Sequence, residues 1–166
     1  MKSFRSQILF FTTFLTSVTL SVFTLISSVP VRANTSFFGK ISLSPSSEGV
    51  RKSVTGYTGG SYSLSAISNR DRRNNLCIGF ADPKPDHIVV LEKDFPKLNL
   101  KVNSRGYDTT LLIVGPDDKT VRCGDDTGES KDASINGSDW KAGTYKVWVG
   151  SFKAGVRRNY KLSLQQ

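Results

Sequence analysis

Asp108, Asp125 and Asp126 are the residues whose type and spacing could hold a metal ion, with Glu129 and Asp132 following in the same polar stretch. Calcium takes roughly six to eight oxygens from carboxylates, carbonyls and water, and loops can supply them without regular secondary structure. The string Asp125-Asp126-Thr127-Gly128 does not fit the EF-hand pattern. Ordinary turn chemistry, in which an aspartate accepts backbone N–H bonds, therefore stays open as the alternative. Lys119, Arg122 and Lys131 are close enough in sequence to neutralise the acidic groups. If a metal binds, the donor set calls for calcium, weakly held; no other cofactor is called for.

Catalytic chemistry finds little to work with. The chain has one His, His87, and no Ser in a G-x-S-x-G elbow. No catalytic residue is expected. A carboxylate-dependent hydrolase, the competing enzyme reading, would need two carboxylates across a cleft and aromatics such as Tyr107, Trp140 or Trp148 to grip the substrate. In a small β-protein such aromatics more often pack in the core or on a sheet face. Two cysteines and one histidine, without C-x-x-C spacing, also disfavour zinc.

The charge balance, 23 Lys+Arg against 14 Asp+Glu, gives a net +9. Its most basic point is the loop holding Arg70, Arg72 and Arg73, and Arg157 and Arg158 form a second pair. Such groups can face acidic polysaccharide or anionic lipid through attraction that weakens with salt. A solvated basic surface is the plain alternative. No interleaved basic and aromatic module of the RNA-binding type is present, so nucleic acid is not an expected partner.

The elements that would position these groups are short strands. Leu98, Leu100 and Val102 alternate with Lys97, Asn99, Lys101 and Asn103; Tyr145, Val147 and Val149 alternate with Lys146, Trp148 and Gly150; Tyr160, Leu162 and Leu164 alternate with Lys161, Ser163 and Gln165. Each pattern buries one face and wets the other. Leu111, Leu112, Ile113 and Val114 form a continuous apolar run stopped by Gly115-Pro116-Asp117-Asp118, which suits a central strand and a tight turn. Further strands are expected at 37–43, 50–57, 61–67, 87–91 and 119–123, with polar loops at 44–49, 68–76 and 124–138. About eight or nine strands and no sustained helical stripe predict a single antiparallel β-sandwich of jelly-roll type. The expected core is Leu98, Leu100, Val102, Leu111, Ile113, Tyr145, Val147, Val149, Leu162 and Leu164, with Trp148 the residue whose facing the pattern leaves open.

The first 33 residues read as a secretory signal: Lys2 and Arg5 open it, an apolar stretch follows, and Val31-Arg32-Ala33 places small residues at −3 and −1. Cleavage is expected after Ala33, leaving one domain at 34–166. The apolar stretch approaches bilayer length, so an uncleaved anchor is the alternative, and only then is a membrane a partner. Removing Lys2, Arg5 and Arg32 leaves 20 basic against 14 acidic residues, a net +6. Either way the domain is placed outside the cytoplasm, secreted or periplasmic. In an exported chain Cys77 and Cys123 are read as one disulfide, the alternative being two buried free thiols.

The C-terminal half carries a further signal. Tyr107-Asp108-Thr109-Thr110-Leu111 through Gly115-Pro116-Asp117, then Cys123-Gly124-Asp125-Asp126, Trp140 and Gly143-Thr144-Tyr145-Lys146-Val147-Trp148-Val149-Gly150 resemble the bacterial pre-peptidase C-terminal domain family in its stand-alone secreted variety. Cys77-Ile78-Gly79, Pro85-Asp86-His87, Gly56 and Gly59-Gly60 extend the resemblance upstream. It implies a compact jelly-roll sandwich acting as an accessory or binding module, and in collagen-binding relatives a calcium ion held by aspartates at strand ends. No protease domain accompanies this chain. The expectation is a non-enzymatic module for an exported protein, a polysaccharide or another envelope component, with a purely structural envelope role as a further alternative.

Overall fold

The computed structural model describes residues 36–166. The expected signal segment and its cleavage after Ala33 lie outside the described residues. Eleven strands follow in order: β1 (Lys40–Leu43), β2 (Arg51–Tyr57), β3 (Tyr62–Ser63), β4 (Phe80–Ala81), β5 (His87–Leu91), β6 (Phe95–Asn103), β7 (Thr109–Val114), β8 (Val121–Gly124), β9 (Ser134–Trp140), β10 (Gly143–Ser151) and β11 (Asn159–Gln165). A 3-10 turn at Leu64–Ala66 is the single helical element among the described residues.

The strands form two sheets. A four-stranded sheet runs β2, β11, β6, β9, and every pair in it is antiparallel. The seven-stranded sheet is built on β10, which pairs with β5 and β4 and also with β7; β1 extends it beyond β5, β8 beyond β7 and β3 beyond β4. Antiparallel pairing holds throughout except between β1 and β5, which run parallel with Lys40 opposite Ile88 and Leu43 opposite Leu91. The chain enters this sheet at β1 and leaves at once for β2 in the other, so no hairpin dictates the direction of that pair.

Alternation produces the sandwich directly. Leu98, Leu100 and Val102 of β6 and Leu162 and Leu164 of β11 point at Leu111, Ile113, Tyr145, Val147 and Val149 of the opposing sheet, and all are buried in one cluster. Every core residue expected from the sequence is in it. Trp148 faces the other way. It joins Leu112, Val114, Val121, Leu64, Cys77, Cys123 and Ala81 in a second cluster on the outer face of the seven-stranded sheet. That cluster explains why Leu111 to Val114 is apolar at every position, since β7 is buried on both faces.

Several boundaries differ from the sequence reading. The stretch 124–138, expected as a loop, contains most of β9, whose Ile135 lies opposite Leu100 and whose Trp140 lies opposite Phe95. At 61–67 only Tyr62 and Ser63 are extended before the chain turns inward to bury Leu64, and the first strand starts at Lys40 rather than at residue 37.

Candidate functional site

Asp108 sits at the entrance to β7, after a turn held by an aspartate from elsewhere. The buried Asp132 carboxylate accepts hydrogen bonds from the Ser104 amide at 2.7 Å, the Ser104 hydroxyl and the Gly106 amide at 3.3 Å. The Thr109 amide donates to the Lys131 carbonyl at 3.1 Å, and the Ala133 amide donates to Thr109 Oγ1 at 3.0 Å. Residues 104–109 are thus fastened to residues 131–133. Asp125 and Asp126 leave β8 on the same side, and the Ser134 amide donates to the Asp125 carbonyl at 3.1 Å. The result is convergence: Asp108, Asp125 and Asp126 each place a carboxylate oxygen within 4.8 Å of the others. Asp132 serves the loop clamp instead, and Glu129 stands outside the cluster.

Three carboxylates this close repel one another. Burial, with Asp126 and Asp108 adding to it, pushes the Asp125 carboxyl above the usual aspartate range, against a backbone hydrogen bond from Asp126 and the pull of Lys131. Asp125 Oδ1 is closed off from solvent and has no hydrogen-bond partner. Lys131 Nζ lies 3.3 Å from Asp108 Oδ2 as an exposed pair, which relieves only part of the charge. An oxygen-only donor set with one orphaned buried oxygen fits a hard cation such as calcium.

The basic loop is ordered by a different aspartate. Asp71 accepts from the Arg73 amide at 2.8 Å, the Asn75 amide at 2.9 Å, Asn75 Nδ2 at 3.0 Å and the Cys123 amide at 3.2 Å. These bonds hold its carboxyl below the usual range even though burial acts the other way. A disulfide between Cys77 and Cys123 anchors the same loop to β8. Arg70, Arg72 and Arg73 are all exposed; Arg70 turns back to donate to the Asn74 carbonyl at 2.8 Å, and Arg73 Nη1 reaches the Asn136 carbonyl on β9 at 3.3 Å.

The remaining candidates divide. Trp140 is buried with the Arg122 guanidinium stacked 4.1 Å from its ring, and Trp148 is buried in the outer cluster, so neither can grip a substrate. Tyr107 is exposed under the Arg158 guanidinium at 4.4 Å, and Arg157 lies 3.4 Å from the Tyr57 ring. His87 is fully buried, its Nε2 2.9 Å from the Tyr160 hydroxyl, and burial lowers its pKa to about 4. It is a neutral core residue. The sequence reading missed the outward face of the four-stranded sheet as a unit; the alternating Lys and Asn of β6 and β11 were its signal.

No protein-family model matches the chain, and no curated protein matches it. Two solved structures are similar to it. The pre-peptidase C-terminal domain of the collagenase from Bacillus anthracis aligns over 75% of this chain and 93% of its own, with a TM-score of 0.45 and 12% identity. PliG of Aeromonas hydrophila, a periplasmic inhibitor of g-type lysozyme, aligns over 80% of this chain and 100% of its own, with a TM-score of 0.41 and 11% identity. The first is a domain of the family that the C-terminal motifs resemble.

Proposed function

We propose that the protein is a non-enzymatic binding or accessory module that works outside the cytoplasm, secreted or periplasmic, on an exported protein, a polysaccharide or another envelope component. The observation that carries this reading is where its chemistry lies. The space between the sheets is filled with apolar side chains, and the carboxylates that come together stand outside it, at strand ends and on an edge loop. None of five surface depressions lined by described residues carries two carboxylates. The Cys77–Cys123 disulfide supports an oxidising compartment. A pull-down from native extracellular material, paired with assays for release of sugar or peptide, tests it. A saturable partner without turnover is the expected result, and steady turnover abolished by a single carboxylate substitution would replace the module by a hydrolase.

The same reading includes weak calcium binding by Asp108, Asp125 and Asp126. The ion would neutralise the mutual repulsion and give the Asp125 oxygen a partner, fixing the β6–β7 turn against the loop after β8. Calcium that binds only the folded chain raises Tm as its concentration passes Kd. Melts in millimolar calcium and in chelator should therefore differ. Asp125→Asn, which removes one charge from the cluster, should raise Tm in chelator and abolish the calcium shift. Superimposable parent curves would leave the aspartates as turn-formers.

A further inference from the structure

The outward face of the four-stranded sheet carries charge in a pattern that the metal cluster and the fold leave unused. Strand register arranges its side chains in rows. One row crosses all four strands as Arg51, Gln165, Asn99 and Asn136. Beside it, Lys101 and Lys161 stand on neighbouring strands, Lys101 opposite Ser163 and Lys161 opposite Asn103. At the β9 edge the row continues into the basic loop, where Arg73 touches the Asn136 carbonyl at 3.3 Å. A shallow trough of about 600 Å³ follows these residues. With strands about 4.8 Å apart, the row from Arg51 to Asn136 extends roughly 14 Å before Arg73 adds to it.

Three properties of this face select a ligand class. First, Asp139, exposed at the end of β9 beside Ser138, is the one acidic residue on the four strands of this sheet, and none of Arg51, Lys97, Lys101 and Lys161 forms an ion pair among the described residues. Its uncompensated charge favours an anion. Second, between the charges stand amides and hydroxyls rather than apolar groups. A protein partner would want an apolar anchor at the centre of the contact, and a membrane would want side chains that insert. Amides and hydroxyls instead match the donors and acceptors of sugar rings. Third, Asn99 Oδ1, in the middle of the row, is closed off from solvent and lacks a hydrogen-bond partner. Asn99 as a whole is partly exposed and lines the trough, so rotation of its amide would present this unbonded acceptor to a ligand hydroxyl.

We propose that this face binds a linear polysaccharide bearing carboxylate groups, laid across the strands from Arg51 to Arg73 with Lys101 and Lys161 beside it. The inference rests on the binding-module reading and gives that module a surface and a ligand class. Arginine and lysine take the carboxylates, and Asn99, Asn136 and Gln165 take the hydroxyls between them.

Isothermal titration of the purified protein with polygalacturonate tests the assignment, with neutral dextran and phosphatidylglycerol vesicles as the other arms. Binding of polygalacturonate alone, weakening as salt rises, is expected. Reversing two charges with Lys101→Glu and Lys161→Glu should weaken it roughly tenfold or more, while Lys40→Glu with Lys93→Glu, the same charge change away from the face, should stay within about twofold. Asn99→Ala should also weaken binding without changing the salt slope. An unchanged Tm for each variant separates lost contacts from lost folding. Equal losses in both charge-reversed pairs would overturn the face in favour of net charge. Binding of vesicles in place of polygalacturonate, or of dextran equally well, would overturn the ligand class. If polygalacturonate does not bind while the Lys101→Glu, Lys161→Glu protein still retains a partner in the extracellular pull-down, this assignment fails and the broader module reading stands.

Discussion

Asp86 and His87 are neighbours in sequence with opposite burdens. Asp86 is almost wholly buried, and that burial, with Asp82 adding to it, lifts its pKa to about 7 although the Val149 amide donates to it at 2.7 Å. His87 is fully buried and drops to about 4. Between about pH 4 and 6.5 the folded chain holds a proton on Asp86 that the unfolded chain has released, so this group destabilises the fold as pH rises. Over the same window the folded chain lacks a proton on His87 that the unfolded chain carries, so that group stabilises the fold as pH rises. The two slopes cancel. Asp86→Asn keeps an oxygen for the Val149 amide and removes only the titration. The stability of the variant relative to the parent should then climb from about pH 4 to pH 7, by on the order of 4 kcal/mol in total. Urea denaturation across that range reads it directly, and a difference independent of pH would show that Asp86 ionises freely in the folded chain.

Among the elements, β9 is the one the sequence hid, and the reason is local. Its buried positions are Ile135, Gly137 and Trp140, and the left-handed backbone at Asp139 (φ 55°) puts Trp140 out of step with the other two, so no alternation is displayed. Gly137 is small because of its neighbours: a Cβ there would lie 2.7 Å from Trp140 Nε1 and 2.9 Å from an Arg122 nitrogen. Arg122 in turn stacks on Trp140 and donates to the Ser138 carbonyl at 2.9 Å, so the strand is held by a buried arginine rather than by its own hydrophobicity. Gly137→Ala should cost about 1–3 kcal/mol through overpacking and lower Tm, whereas Ser138→Ala, at an exposed position on the same strand, should change it little. By contrast β6, β10 and β11 were legible because period-two alternation records a single buried face. The convergence of Asp108 with Asp125 and Asp126 was legible only as residue types. The clamp that creates it, Asp132 on Ser104 and Gly106, spans residues far apart in the chain and leaves no local pattern.

For the described molecule, the sandwich and the inward faces of β6, β7, β10 and β11 follow from the sequence, while the second apolar layer does not. That layer lies over the outer face of the seven-stranded sheet, where Trp148, Leu112 and Val114 would otherwise meet water. The segment that covers them carries Leu64 and Cys77, and the bond from Cys77 to Cys123 closes a sequence separation of 46 residues. Loop-closure entropy makes that bond worth roughly 4 kcal/mol, a large share of an ordinary domain's stability of about 5–15 kcal/mol. Reduction should lower Tm and, below the new transition, increase the fluorescence of a dye that binds apolar surface; an unaltered dye signal would mean the covering segment holds without its link. The bond therefore acts as a latch on the outer layer. With it reduced, the inner sandwich keeps its own apolar cluster while the cover over Trp148, Leu112 and Val114 loosens, so the redox state of one bond would decide whether an indole and leucine surface is hidden or open.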